Sequence, residues 1–217
     1  MSVESESRWA DAHILQSARA FGPLEAGADS RSVGTDRAPG RHITTGGRVN
    51  KKALDGLWDQ ARQKYGVYLR VLDAIPDDKY QGHPVAGMRT PAELVVHVSG
   101  GIVRDIAKGV AKGEIKGNAP AEEAAAKGLK NRADAVAFAR RCWKEADSAV
   151  GGITDAQLAG TVKAWGMSLP GSACMHILND ELVHHRGQLY VYARASGGQP
   201  PFLWSFGENA PEFAPRA

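Results

Sequence analysis

A carboxylate and an imidazole stand four residues apart in this chain, as Glu181 and His185. If residues 174–193 form a helix with about 100° between successive residues, both side chains project within roughly 60° of the centre of its apolar face. That face consists of Cys174, Leu178, Leu182, Leu189 and Tyr192. Burying a charged pair is costly unless something compensates it, and a divalent cation is an efficient compensator. The spacing therefore indicates either a metal site or an ordinary contact between Glu and His on one helix.

Three other polar residues of this segment share the spacing but not the direction. His176, Asp180 and His184 project about 120° or more from the centre of the apolar face. We expect them to face solvent and to take no part in a site.

The helix that carries the pair must be positioned by the rest of the chain, whose apolar periodicity predicts four long helices. They cover about 51–74, a stretch that opens at Thr90, about 131–150, and about 170–196. The stretch Thr90-Pro91-Ala92-Glu93 predicts a capping box with proline at the first helical position. Alternating apolar and polar stretches are almost absent, and the segments 113–130 and 151–169 are assigned minor helical turns. The predicted fold is an all-α, antiparallel four-helix bundle.

The 217 residues allow one domain and an extension. Residues 22–48 contain few large apolar side chains, which predicts a flexible linker. We therefore interpret 1–48 as a flexible extension, disordered or loosely docked, in which Trp9 to Phe21 could form one short amphipathic helix, and 49–217 as the bundle.

Composition excludes several classes of function. The net charge of +3 is spread along the chain without a basic cluster, so nucleic acid is not an expected partner. The chain has neither a signal-peptide pattern nor 18 successive apolar residues, so we expect no membrane association. Its two cysteines, Cys142 and Cys174, predict no disulfide framework and suit a reducing compartment. We expect a cytoplasmic protein.

His97 lies on the second predicted helix, one turn after the capping box. In an antiparallel bundle it could reach the middle of the fourth helix, where Glu181 and His185 lie. The apolar residues of its own helix centre more than about 100° away, which places it on a flank; they are Leu94, Val95, Val98, Ile102 and Ile106. By itself, such a histidine is more often hydrogen-bonded or at the surface than a metal ligand.

The order Thr-Pro-Ala-Glu-Leu-Val-Val-His at 90–97, followed by His-His-Arg-Gly-Gln-Leu-Tyr-Val-Tyr-Ala-Arg at 184–194, resembles the DinB/YfiT-like metalloprotein superfamily over roughly 49–201. The resemblance implies a four-helix bundle with a divalent metal held by one His of the second helix and a pair spaced by four on the last. The implied ligands here are His97, Glu181 and His185. Many members have His where this chain has Glu181, but Glu there is similar to the mycothiol-dependent maleylpyruvate isomerases of the same superfamily.

Three protein ligands leave a fourth position on a tetrahedral ion for water or substrate. Zn(II) is the first expectation, with Ni(II) or Fe(II) as alternatives, because imidazole and carboxylate discriminate weakly. The resemblance implies a metal-dependent thiol transferase or thiol-dependent isomerase that takes a low-molecular-weight thiol such as bacillithiol, mycothiol or glutathione. Its alternatives are a noncatalytic metal-stabilised bundle or interaction protein, such as a homodimer, and a metal-free polar patch in the core.

The remaining candidate residues have ordinary interpretations. Cys174, on the apolar face, is expected to be a small buried hydrophobe rather than a nucleophile. Arg186 could steer an anionic substrate or form a surface salt bridge. Trp165 and the aromatic tail 200–206 are expected to cap the open end of the bundle or to line a pocket, while His42 and His83 receive no role.

Overall fold

A computed structural model describes residues 50–216 of the chain. In chain order the α-helices are α1 Lys51–Asp73, α2 Pro91–Val95, α3 Asp105–Lys112, α4 Ala119–Gly128, α5 Arg132–Gly151, α6 Asp155–Ala159 and α7 Gly171–Ala195. A π-helical segment, Val96–Arg104, joins α2 to α3, so that residues 91–112 form one continuous stretch, called the second helix below. Together with α1, α5 and α7, the second helix completes the four long helices that the periodicity predicts.

At the start of five of these helices, α1, α2, α4, α5 and α6, a polar side chain accepts from a backbone N–H group that the helix leaves unpaired. The Asn50 side chain accepts from the Ala53 amide at the start of α1, and Asn131 accepts from Asp134 at the start of α5. At the start of α2 the predicted capping box is present, since the Glu93 amide donates to Thr90 and the Thr90 amide donates to the Glu93 carboxylate. The entry to the helix that carries His97 is therefore fixed locally.

A small three-stranded sheet is the element that the sequence did not predict. Its strands are β1 Glu114–Ile115, β2 Thr161–Ala164 and β3 Met167–Pro170. β1 pairs parallel with β2, and β2 pairs antiparallel with β3. The β2–β3 turn has positive φ at Trp165 (50°) and Gly166 (76°), the backbone that closes a tight hairpin. The expectation of minor helical turns at 113–130 and 151–169 is thus right for α4 and α6 and wrong for these strands, which are too short for a periodicity of several residues to appear.

The core lies between α1, α5, α7 and the second helix. Trp58 of α1 stacks on Trp143 of α5, with ring centroids 4.5 Å apart. Deeper in the core, the hydroxyls of Tyr65 and Tyr68 each lie 2.9 Å from Ser99 Oγ of the second helix. The Tyr65 hydroxyl also lies 2.9 Å from the carbonyl oxygen of Ala139 on α5. Three of the four long helices therefore meet at buried hydroxyl groups, one of which belongs to Ser99, two residues after His97 in the second helix.

The predicted extension, residues 1–48, lies outside the described residues, as does the expected helix from Trp9 to Phe21. Within 50–216, no helix combines the length and apolar character that crossing a membrane requires.

Candidate metal centre

Glu181 and His185 lie on the inner side of α7, as their positions on the apolar face predict. The exposed fractions of the two residues are 8% and 6%, and His185 Nε2 lies 3.2 Å from Glu181 Oε2. His176 and His184 are exposed, which confirms the predicted direction of the outer stripe. The regular geometry of α7 therefore brings a carboxylate and an imidazole together in a nearly dry environment.

Gln188, one turn further along α7, sets the tautomer of His185. The tautomer decides whether the nitrogen that faces Glu181 carries a hydrogen or a lone pair. His185 Nδ1 lies 2.7 Å from Gln188 Oε1, and an amide oxygen can only accept, so Nδ1 donates. In the neutral imidazole, Nε2 then has no hydrogen and faces the carboxylate as a second acceptor. A proton or a cation between Nε2 and Oε2 resolves this opposition. Two ligands of one tetrahedral ion, at about 2.0–2.1 Å from it, are themselves about 3.3–3.4 Å apart, so the observed spacing suits a shared ion.

His97 lies beside this pair. It is 9% exposed, and its ring meets that of His185 edge to face with centroids 4.9 Å apart. Periodicity placed His97 on a flank of the second helix, and α4 packs against that helix, which accounts for the burial of His97. The segment Val96–Arg104 is π-helical, so each residue turns the helix by less than the angle assumed for an α-helix.

The same helix α4 brings an acid that sequence reasoning missed. Glu122 Oε2 lies 3.9 Å from His97 Nδ1. A Cβ added at Gly101 would lie 3.0 Å from Glu122 Oε1, so the absence of a side chain at Gly101 leaves room for this carboxylate. The pair Gly100-Gly101 inside a predicted helix was the available signal, because glycine there indicates the close approach of another group.

The protonation states of two of these side chains suit metal binding, which needs neutral imidazole and ionised carboxylate. Burial lowers the pKa of His97, which keeps its ring neutral. Burial alone would raise the pKa of Glu181, but the hydrogen bond that a protonated His185 donates and the positive charge that the neighbouring histidines carry when protonated outweigh it, and the net shift is downward. Glu181 is therefore held as a carboxylate.

The side chains of His97, Glu181 and His185 do not converge on one point. Within residues 50–216, no three His, Cys, Asp or Glu side chains are placed so that they could hold an ion as they stand. Glu181 and His185 have the spacing of a ligand pair, whereas a three-ligand centre requires the His97 side chain to move towards them. The donor types and the Gln188 contact fit a divalent cation, and the position of His97 is the part that metal binding would change.

Two further predictions about single residues have opposite outcomes. Cys174 is fully buried, and burial raises the pKa of its thiol to about 11, in agreement with its interpretation as a small hydrophobe. Arg186 is only 4% exposed, so the expectation of a surface salt bridge is wrong. Its Nε and Nη1 find no hydrogen-bond partner within residues 50–216, and burial lowers the pKa of its guanidinium.

The predicted aromatic cap forms only in part. Trp165, Leu203 and Phe206 pack against the core, whereas Phe202 and Trp204 are 72% and 61% exposed. A cavity of about 750 Å³ lies elsewhere, between α5 and the last residues of the described chain, and neither His97, Glu181 nor His185 lines it.

The fold and the buried polar centre define a class of helical bundle in which histidines of the second and last long helices meet. The family model described as the DinB superfamily matches residues 59–189, and the chain belongs to that superfamily. A crystal structure of a DinB-like protein from Bacillus subtilis, YjoA, is similar at a TM-score of 0.55 and 21% identity, covering 68% of this chain and 96% of that one. Likeness at this identity concerns the fold alone. No curated protein matches the chain.

Proposed function

We propose that this DinB-superfamily protein binds one divalent metal ion per chain through His97, Glu181 and His185. The observation that carries the proposal is the contact of His185 Nε2 with the Glu181 carboxylate at 3.2 Å while Gln188 accepts from Nδ1. A metal-binding histidine commonly donates its other ring nitrogen to such an outer partner. Zn(II) is the first candidate, and Ni(II) and Fe(II) are the alternatives.

We further propose a metal-dependent thiol transferase or thiol-dependent isomerase. A bound ion supplies Lewis acidity and lowers the pKa of a coordinated thiol. The chain's own contribution is to orient and to exclude water: Gln188 holds the tautomer of His185, Glu181 supplies a negative charge, and the nearly complete burial of both limits access by solvent. Three protein ligands leave a coordination position for the sulfur of a small-molecule thiol.

Elemental analysis of the purified protein tests the metal site. We expect about one divalent ion per chain, and we expect Glu181→Ala and His185→Ala to lose it because each removes a ligand. His176→Ala is the matched control, since His176 lies on the same helix but is exposed. Full metal content in both ligand variants would show that the ion binds elsewhere.

Cobalt substitution tests the thiol chemistry separately. If a coordination position is open, adding bacillithiol, mycothiol, glutathione or cysteine to the Co(II) protein should produce a thiolate-to-cobalt charge-transfer band. The band should be absent in Glu181→Ala, which cannot hold the ion. If cobalt loads stoichiometrically but none of these thiols changes its spectrum, the transferase proposal fails and a noncatalytic role remains.

The noncatalytic alternative, a metal-stabilised bundle that acts as an interaction protein, is favoured by one observation. Phe202 and Trp204 are large, apolar and largely exposed, as is Val191 of α7 at 52%. Exposed aromatic side chains are enriched where proteins associate. Such a protein would form a homodimer, and light scattering after gel filtration measures that mass directly. The two free, buried cysteines support placing either function in the reducing cytoplasm.

A further inference from the structure

We infer that Glu122 of α4 positions His97 as a metal ligand, a role that rests on the proposed metal centre. The observation is the 3.9 Å approach of Glu122 Oε2 to His97 Nδ1, between a histidine that is 9% exposed and a carboxylate at the inner edge of α4. A carboxylate beside Nδ1 favours the tautomer in which Nδ1 carries the hydrogen. Nε2 is then the nitrogen with a free lone pair, available to an ion.

His97 and His185 thus each have an oxygen acceptor beside Nδ1, and the two acceptors belong to different helices. Gln188 accepts from Nδ1 of His185 on its own helix, whereas Glu122 reaches His97 from α4. The distance of 3.9 Å is longer than a hydrogen bond, so Glu122 accepts from Nδ1 of a metal-bound His97 only if its flexible side chain follows the ring towards Glu181 and His185. Glu122 therefore supplies a partner on the side of the ring away from the ion.

The neighbouring acid on α4 shows that this placement is specific to Glu122. Glu123 projects outward and pairs with Lys127, one turn along the same helix. Within residues 50–216, the ion-pair contact of Glu122 is with His97. Glu123 is therefore a matched control, because it has the same charge and the same helix but no contact with the centre.

Substitution of Gly101 is a second, steric way to perturb the contact between Glu122 and His97. The three atoms nearest to a Cβ built at Gly101 all belong to the Glu122 carboxylate, the closest at 3.0 Å. Gly101→Ala therefore presses on Glu122 without changing any charge. Because alanine is favoured over glycine in a helix, this variant should retain or increase the stability of the fold.

The test measures the Co(II) affinity of the full chain by competition with a chromophoric chelator, together with the visible d–d spectrum of the cobalt protein. Glu122→Gln should weaken cobalt binding by roughly 10–100-fold, the effect typical of losing an outer partner of a ligand, and should shift the d–d bands. Gly101→Ala should weaken it in the same direction while the metal-free melting temperature holds or rises. Glu123→Gln should match the wild type in affinity and spectrum.

The outcomes distinguish a failure of the positioning role of Glu122 from a failure of the proposed metal centre. If the wild type binds no cobalt, the metal centre itself fails. If the wild type binds cobalt and Glu122→Gln has the same affinity and spectrum, Glu122 has no positioning role although the centre stands. Should Glu122→Gln fail to fold, Gly101→Ala decides: unchanged affinity and spectrum in that variant overturn the inference.

Discussion

At the scale of single residues, both cysteine thiols lie in surroundings that favour the protonated form. Burial raises the pKa of each thiol to about 11, and both residues are buried. Below that pH they remain protonated, and the thiolate is the reactive form. We therefore expect the folded protein at pH 8 to leave both thiols unmodified by a disulfide reagent such as dithionitrobenzoate.

The same measurement in denaturant is its control. Unfolding removes the burial, so two thiols per chain should then react, matching the two cysteines of the sequence. Rapid modification of Cys174 in the folded protein would instead revive the nucleophile interpretation and weaken the metal-centred chemistry.

Sequence patterns could place Glu181 and His185 but not the groups around them. The pair was predictable because α7 is a regular helix over its whole length, so that spacing translates into direction. The direction of His97 was harder to predict, because its segment is π-helical and turns by less per residue than the α-helix that periodicity assumes. Glu122 was missed because it reaches the site from a separate short helix, a relation that depends on tertiary packing.

At the scale of elements, glycine at 109 lets the small sheet pack against α3. A Cβ there would lie 2.3 Å from Ile115 Cγ1 and 2.8 Å from the Glu114 carbonyl oxygen, both in β1. Gly109→Ala should therefore lower the free energy of unfolding by about 1–3 kcal/mol, the usual range for overpacking. Urea denaturation measures the change.

Gly56→Ala is the matched comparison on α1. Gly56 is exposed, and a Cβ there would meet nothing within 4 Å. Alanine should raise the free energy of unfolding by about 0.5–1 kcal/mol, because it restricts the unfolded chain and suits the helix. If the two variants changed stability equally, the close approach of β1 to α3 would be wrong.

The long helices were predictable in number and nearly in extent, because apolar periodicity extends over each of them and cap residues mark where the second helix and α5 begin. Asn131, for example, was taken as the start of the third helix, and it is the residue that caps α5. The sheet was not predictable by the same means, since β1 has only two residues and its pairing with β2 joins positions nearly fifty residues apart. Such pairing is decided by packing rather than by local pattern.

At the scale of the whole molecule, the residues from Asn50 onward form a hydrophobic core among themselves. Five of the helices, α1, α2, α4, α5 and α6, begin with side-chain caps, and the apolar side chains form one cluster. We therefore predict that deleting residues 1–48 leaves the melting temperature and metal content nearly unchanged, because residues 22–48 contain too little apolar surface to contribute. Differential scanning calorimetry with elemental analysis tests this, and a large fall in melting temperature would mean that the segment from Trp9 to Phe21 docks on the bundle.

The buried hydroxyls of Tyr65, Tyr68 and Ser99 have a directional consequence. The Tyr65 hydroxyl donates towards both the Ala139 carbonyl oxygen and Ser99 Oγ, so its one hydrogen is shared between two acceptors, and Ser99 also forms a hydrogen bond with the Tyr68 hydroxyl. These bonds join α1 to α5 and to the second helix. Rotating the second helix about its axis would break both bonds at Ser99 and leave buried hydroxyl groups without partners. The rotation of that helix about its own axis is therefore fixed. The backbone at His97, two residues before Ser99, is fixed with it.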